Sequence, residues 1–178
     1  YLDYHELLAK HPELDVVSIC TESGLHADIA VACAEGGKHV IVEKPMALTL
    51  DDADRMIAKF DEANKALFVV KQNRFNPPIV KLREALDSGR FGKLVLGTVR
   101  VRWCRRQEYY DQDAWRGTWA MDGGVFASQA SHHVDLLHWC MGDAESVFAY
   151  SATRLVNIEV EDVGIAVLRF SSGALGII

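Results

Sequence analysis

The sequence predicts an α/β protein in two parts: a partial parallel sheet, then an α+β region with an open, mainly antiparallel sheet. Three observations lead there. Short apolar runs at residues 15–20, 38–42 and 67–70 alternate with helical stretches at 25–35 and 50–63. That order implies right-handed crossovers and a parallel sheet, hence half of a doubly wound, Rossmann-type nucleotide-binding domain. Beyond Val70, residues 146–155, 162–170 and 174–178 read as successive strands, the last two joined by Ser171-Ser172-Gly173, which is the pattern of an antiparallel meander. The third observation is composition. With 49% hydrophobic and 25% charged residues over 178 positions, the chain can bury a core.

Taken in order, Tyr1 to Lys10 reads as the end of a helix closed by Pro12, with Leu7 and Leu8 on its buried side. The strand Asp15–Cys20 leads into a polar turn, Thr21-Glu22-Ser23-Gly24, and an alanine-rich helix follows to Glu35. Gly36-Gly37 releases the strand at 38–42, which ends in Glu43-Lys44-Pro45. Asp51 and Asp52 favour the positive end of the next helix. Lys71 to Pro78 is a polar connector into a helix over 79–87, whose stripe is Ile79, Val80, Leu82 and Leu86. Leu94 to Trp103 alternates like a strand, with Val95, Gly97, Val99, Val101 and Trp103 on one side and arginines on the other. An aromatic, charged loop runs from Arg105 to Trp119. After Gly123-Gly124, the stretch to Gly142 reads as one helix on which Ser128, His132, Asp135 and Trp139 share a face.

Residues 1–72 thus read as the C-terminal half of a dinucleotide-binding domain whose glycine-rich first half is missing, since no G-x-G-x-x-G occurs. Residues 73–178 read as the N-terminal part of a substrate-binding α+β domain. The helical reading of the first ten residues favours truncation. The net charge of −6 argues against nucleic acid, whose binding needs clustered cations. Arg100, Arg102, Arg105 and Arg106 form a local basic patch suited to a phosphorylated small molecule. No apolar run approaches the ~20 residues of a membrane span, and the opening residues show no signal-peptide pattern. Cys20, Cys33, Cys104 and Cys140 lack C-x-x-C spacing, so reduced core thiols in a cytoplasmic protein are expected.

Two residues stand out chemically. The carboxyl ends of parallel strands face the ligand crevice, so Lys44, just past a strand end, would point at a bound ligand. A solvated Glu43-Lys44 pair is the plain alternative. His132 has three readings: a structural histidine, a metal ligand with His133, Asp135 and His138, or an acid–base group with a pKa suited to neutral pH. Their spacing drifts around a helix and there is no H-E-x-x-H, so no metal is expected.

Several stretches, in order, carry a family resemblance. Cys20-Thr21 with His26, GKHVIVEKPMALT, the QNRFNP connector, the Tyr109-Tyr110 to Trp115-Arg116-Gly117 loop, and Gly123-Gly124 followed by His132 and Asp135-Leu136-Leu137 resemble the glucose-fructose oxidoreductase/inositol dehydrogenase/rhizopine catabolism family over essentially the whole chain. More narrowly, KQNRFNPPIVKLREAL, RVRWCR, YYDQDAWRGTWAMDGG and QASHHVDLLHW resemble the branch that oxidises the C3 hydroxyl of UDP-N-acetylglucosaminuronate in bacterial surface-polysaccharide synthesis.

The resemblance implies an NAD-dependent sugar dehydrogenase. NADP stays open, because the acidic residue that reads the ribose would lie upstream. Lys44 and His132 correspond to the family's active-site lysine and histidine, with His132 assigned as base and Lys44 as orienting cation, or the reverse. Thr21, Ser23, His26, Glu43 and Lys44 correspond to cofactor-lining positions. Arg74, Tyr110, Trp115, Arg116, Ser128 and His133 are candidate contacts to a nucleotide-sugar substrate. The resemblance also implies a homo-oligomer, commonly a tetramer, packed through the open sheet, with no nucleic-acid or membrane partner. Two positions depart from the family pattern: Ser128 replaces a common aspartate, and Glu22 a common proline. Another sugar or polyol dehydrogenase of the family, or an inactive sugar-binding relative, is the alternative reading.

Overall fold

The apolar runs pair largely where their pattern predicts. The computed structural model describes residues 1–178 and divides into two units, residues 1–70 with 118–123, and residues 71–117 with 124–178.

In the first unit, β1 (Val16–Ile19), β2 (His39–Val42) and β3 (Leu67–Val69) form an all-parallel sheet in the order β1-β2-β3. Val40 and Val42 of the central strand are fully buried, and each contributes roughly 1.5–3 kcal/mol by leaving water. Helix α1 (Tyr4–Lys10) starts inside the chain rather than running in from upstream: the Asp3 side chain accepts the His5 N–H and caps it. Helix α2 (His26–Glu35) lies close to the sheet because small residues, Ala27, Ala30, Cys33 and Ala34, face it. It ends in a Schellman turn: Lys38 N–H donates to the Cys33 carbonyl, Gly37 N–H to Ala34, and Gly37 takes φ +74°. Helix α3 (Leu50–Glu62) is capped by Thr49, whose hydroxyl oxygen accepts the Asp52 N–H, and it buries Met56 and Phe60 one turn apart.

In the second unit, the expected 71–78 connector contains a 3-10 turn (Gln72–Phe75), and Pro77-Pro78 already belong to α4 (Pro77–Asp87), since proline tolerates the first helical turn. The expected ten-residue strand at 94–103 reduces to β4 (Leu96–Thr98). It pairs in parallel with β7 (Leu175–Ile177), Leu96 opposite Leu175 and Thr98 opposite Ile177. A short helix α5 (Gln107–Tyr110) opens the aromatic loop. Strands β5 (Ala144–Ala152) and β6 (Val163–Phe170) are antiparallel, as are β6 and β7, giving the order β4-β7-β6-β5. Phe170, Ala174 and Leu137 make the core on one sheet face, and Gly97 lets β4 approach Leu137 and Met141. The other face exposes Phe148, Tyr150, Val163, Ile165 and Val167.

The expected single helix over 124–142 is also corrected. Val125–Gln129 is a π-helical turn, closed by Ala130 N–H to the Val125 carbonyl at 2.7 Å, and α6 (Ser131–Met141) starts afresh. A π turn inserts a residue into the helical count and shifts the phase of what precedes it. Ser128 therefore lies off the α-helical face that His132, Asp135 and Trp139 share.

All four cysteines are free; Cys33 is core, while Cys20 and Cys104 are exposed, contrary to the expectation of core thiols throughout. Burial pushes the Cys33 thiol up to about 11. At pH 8, labelling with a thiol reagent followed by peptide mass mapping should modify Cys20 and Cys104 rapidly and Cys33 only after denaturation.

The 153–162 loop is tied by one carboxylate. Asp162 accepts backbone N–H bonds from Arg154, Leu155 and Val156 at 2.9, 2.7 and 3.0 Å. Burial opposes its ionisation, but these donors outweigh burial and hold it below the usual carboxylate range. A depressed folded pKa contributes stability above the unfolded value of ~3.9, and that stability is lost as pH falls through the folded value. Hydrogen-exchange protection at residues 154–156 should fall below about pH 4, and Asp162→Ala should remove that pH dependence.

Candidate active site

Five candidates come together at one end of the parallel sheet in the first unit. Ile19 of β1 lies in register with Val42 of β2, and the Glu43 N–H donates to the Ile19 carbonyl at 3.0 Å. The residues just beyond both strands therefore emerge side by side. Thr21 is exposed, Ser23 opens a 3-10 turn (Ser23–Leu25), and the Lys44 N–H donates to the Glu43 carboxylate at 3.2 Å. The Lys44–Pro45 peptide is cis.

His26 holds this corner together. It is 1% exposed, its Nδ1 lies 2.8 Å from the Pro45 carbonyl and its Nε2 lies 3.2 Å from the Thr21 carbonyl. The ring thus ties the turn after β1 to the corner after β2. Gly24 is needed nearby, because a Cβ there would lie 2.3 Å from the Ala120 carbonyl oxygen, and its N–H donates to Met121. Residues 118–123 cover this turn by backbone contact, which no side-chain pattern announces.

The remaining candidates lie in the second unit. His132 is buried in the first turn of α6. One turn on, Asp135 forms a bidentate pair with Arg74, at 2.8 Å to Nε and 2.7 Å to Nη2, and lies 3.8 Å from Lys71. The Arg74 guanidinium also lies 5.1 Å over the Trp139 ring. Arg74 thus anchors the 71–78 connector to α6, a role its sequence position, 61 residues from Asp135, does not disclose. Arg116 is similarly held: its Nε–H donates to Asp113 at 2.9 Å and Nη1–H to the Tyr109 hydroxyl at 2.7 Å, and it stacks 4.7 Å over Trp115. His133 packs edge-on against Trp103 at 5.6 Å, with its Nδ1 buried and without a hydrogen-bond partner. Ser128 is buried in the π turn, where its carbonyl accepts the Ser131 hydroxyl. Gly124 precedes that turn, and a Cβ there would meet the Glu161 carboxylate at 2.0 Å.

A parallel sheet with hydroxyl, carboxylate and ammonium groups at its strand ends has them where doubly wound α/β sheets bind their ligands. Residues 1–71 match the family model described as an oxidoreductase family with an NAD-binding Rossmann fold, and residues 79–178 match the GFO/IDH/MocA C-terminal domain. The chain belongs to the GFO/IDH/MocA oxidoreductase family.

Among solved structures, it is similar to the WlbA dehydrogenase of Chromobacterium violaceum, in complex with NADH and UDP-GlcNAcA, at 48% identity and TM-score 0.97. The match covers 99% of this chain and 51% of that one. The WlbA dehydrogenase of Bordetella pertussis, with the same ligands, matches at 48% identity and TM-score 0.96, over 98% of this chain and 54% of that one. Among curated proteins, the myo-inositol 2-dehydrogenase of Thermotoga maritima is 36% identical over all of this chain and 52% of its own length. The chain thus spans about half the length of the relatives it matches. No helix is long and apolar enough to cross a membrane.

The first unit fits part of an NAD site. Thr21 and Ser23 offer hydroxyls and Glu43 a carboxylate beside Lys44, all at the carboxyl ends of β1 and β2, while the buried His26 serves the backbone. Replacing His26 with alanine removes the buried ring that lies against both carbonyls and takes away the N–H it donates. His26→Ala should lower stability by about 1–3 kcal/mol, read as a lower urea midpoint, and should weaken NAD binding through the displaced Lys44 corner.

Proposed function

We propose that this chain is the central part of an NAD-dependent dehydrogenase that oxidises the C3 hydroxyl of a UDP-N-acetylglucosaminuronate-type sugar, for bacterial surface-polysaccharide synthesis. The observation that carries the reading is the 48% identity across 99% of the chain to a dehydrogenase crystallised with NADH and UDP-GlcNAcA. The resemblance of the 71–86, 100–105, 109–124 and 129–139 stretches to that branch points the same way. The reading extends to a cytoplasmic homo-oligomer packed through the exposed face of the β4-β7-β6-β5 sheet. NAD, when bound, supplies the hydride acceptor.

The protein's own task is the proton. Oxidation of a carbinol needs a base for the hydroxyl hydrogen and a cation for the developing alkoxide. In this reading His132 accepts the proton and Lys44 orients the hydroxyl. Ser128 cannot supply the negative charge that many relatives place four residues before the histidine, so a larger share of the proton transfer falls on Lys44. Thr21, Ser23 and Glu43 hold the cofactor. Tyr110, Trp115, Arg116 and His133 contact the nucleotide sugar, and Arg74 positions α6. The Ser128 substitution also supports a second reading, an inactive sugar-binding relative.

The test is NADH formation by the complete gene product. UDP-N-acetylglucosaminuronate should be oxidised in preference to myo-inositol, and the opposite preference would move the protein to a polyol-oxidising branch. Lys44→Met and His132→Ala should each lower kcat by about 10²–10⁴-fold. No turnover with any sugar, combined with tight sugar binding, would establish the inactive relative.

A further inference from the structure

The turn after β1 is held at both ends, once by a side chain and once by backbone from a distant segment. At one end the His26 ring lies against the Thr21 carbonyl, Nε2 at 3.2 Å. At the other the Gly24 N–H donates to the Met121 carbonyl at 3.0 Å. Gly24 lies so close to that segment that a Cβ would stand 2.3 Å from the Ala120 carbonyl oxygen and 2.9 Å from the Met121 Cα. Both anchors belong to the first unit, which includes residues 118–123. Ser23 stands between them and opens the 3-10 turn that the Leu25 N–H closes on the Glu22 carbonyl at 3.0 Å. The 118–123 segment is itself folded around one residue. Thr118 gathers three consecutive N–H groups: its hydroxyl oxygen accepts that of Met121 at 3.2 Å, and its carbonyl accepts those of Asp122 and Gly123 at 3.2 and 3.1 Å. Gly123 takes φ +83° at the close of this turn. The two carbonyl bonds are open to any residue at 118, whereas the bond to Met121 needs the hydroxyl.

We propose that Thr118 is a positioning residue for the dinucleotide. It acts through Met121: the hydroxyl fixes Met121, the Met121 carbonyl fixes Gly24, and Gly24 fixes the turn in which Thr21 and Ser23 present their hydroxyls. The proposal rests on the reading of Thr21 and Ser23 as cofactor contacts. The first unit matches an NAD-binding Rossmann fold, and the turn lies at the carboxyl end of β1, where such sheets bind their ligands. A turn already held in its bound shape spares the cofactor the cost of ordering it. Releasing Gly24 therefore shows as lost NAD affinity, while the buried core of the sheet is untouched.

The experiment is fluorescence titration of NADH into the complete gene product, wild type, Thr118→Val, Thr118→Ser, Thr21→Val and Ser23→Ala, with urea midpoints measured alongside. Thr118→Val removes the hydroxyl at nearly constant shape. It should weaken NADH binding about 3- to 10-fold with the urea midpoint held, and Thr118→Ser should restore the affinity. A loss that serine fails to restore, or that comes with a lower urea midpoint, overturns the positioning role. Unchanged affinity in Thr118→Val, with Thr21→Val or Ser23→Ala weakened, overturns it too and leaves the cofactor-contact reading standing. Affinity lowered by Thr118→Val but by neither Thr21→Val nor Ser23→Ala overturns that reading and keeps the positioning role, exerted on the backbone of the turn. A wild-type measurement stands independently of how the variants fold. Saturating NADH should slow hydrogen exchange at the Gly24 and Met121 amides and leave unchanged the Lys38 amide, which is bonded to the Cys33 carbonyl at the other end of α2. Equal slowing at all three, or none at Gly24 and Met121, overturns the proposal.

Discussion

The position of Lys44 depends on the burial of β2 between its two parallel neighbours. Val40 and Val42 are fully enclosed, and a one-residue slip would bring Ile41, 39% exposed, into their place. That penalty locks the register Ile19↔Val42↔Val69. With the register locked, Glu43 and Lys44 must leave the sheet beside the turn after β1. His26 then converts a strand end into a defined corner, because one buried ring serves two carbonyls from segments 24 residues apart in sequence, Thr21 and Pro45. The sheet determines where the chain emerges, and the imidazole determines how it turns.

The second unit solves a comparable problem with charge. Its buried aromatic residue, Phe170, anchors the sheet, but α6 is oriented by Asp135, whose side chain is only 11% exposed and which takes both nitrogens that Arg74 offers. A carboxylate at that depth needs such a partner, since an unpaired buried charge is costly. Trp139 extends the arrangement, lying against Arg74 and Arg83, the latter donating to its carbonyl at 2.7 Å. The polar connector after β3 is therefore part of the mounting of the helix that carries His132. Arg55, Arg74, Arg83 and Arg116 are each paired with a carboxylate in this way.

Much of this was legible in residue order. The apolar runs announced the parallel sheet and the meander, Gly36-Gly37 announced the end of α2, and the spacing of His132, Asp135 and Trp139 announced one helical face. Three features were not. The Arg74–Asp135 pair links positions 61 residues apart, and nothing local marks either as the other's partner. The π turn at 125–129 is invisible to helical counting, because its residues are as suited to an α-helix as those of α6. The backbone contact of residues 118–123 with the turn after β1 is marked by no side-chain pattern.

What the sequence by itself determined is the class of fold, the family, and the residue types available for proton transfer, because hydrophobic period and turn residues act locally and family motifs are read without coordinates. The tertiary structure alone decided which polar groups are engaged and which are not. Arg74 and His26 resemble free binding groups in the sequence and are committed to holding segments together, Arg74 through Asp135 and His26 at the Thr21 and Pro45 carbonyls. The physical reason is that a charge's role is set by what lies within a few ångströms of it, and for these residues those neighbours come from distant parts of the chain.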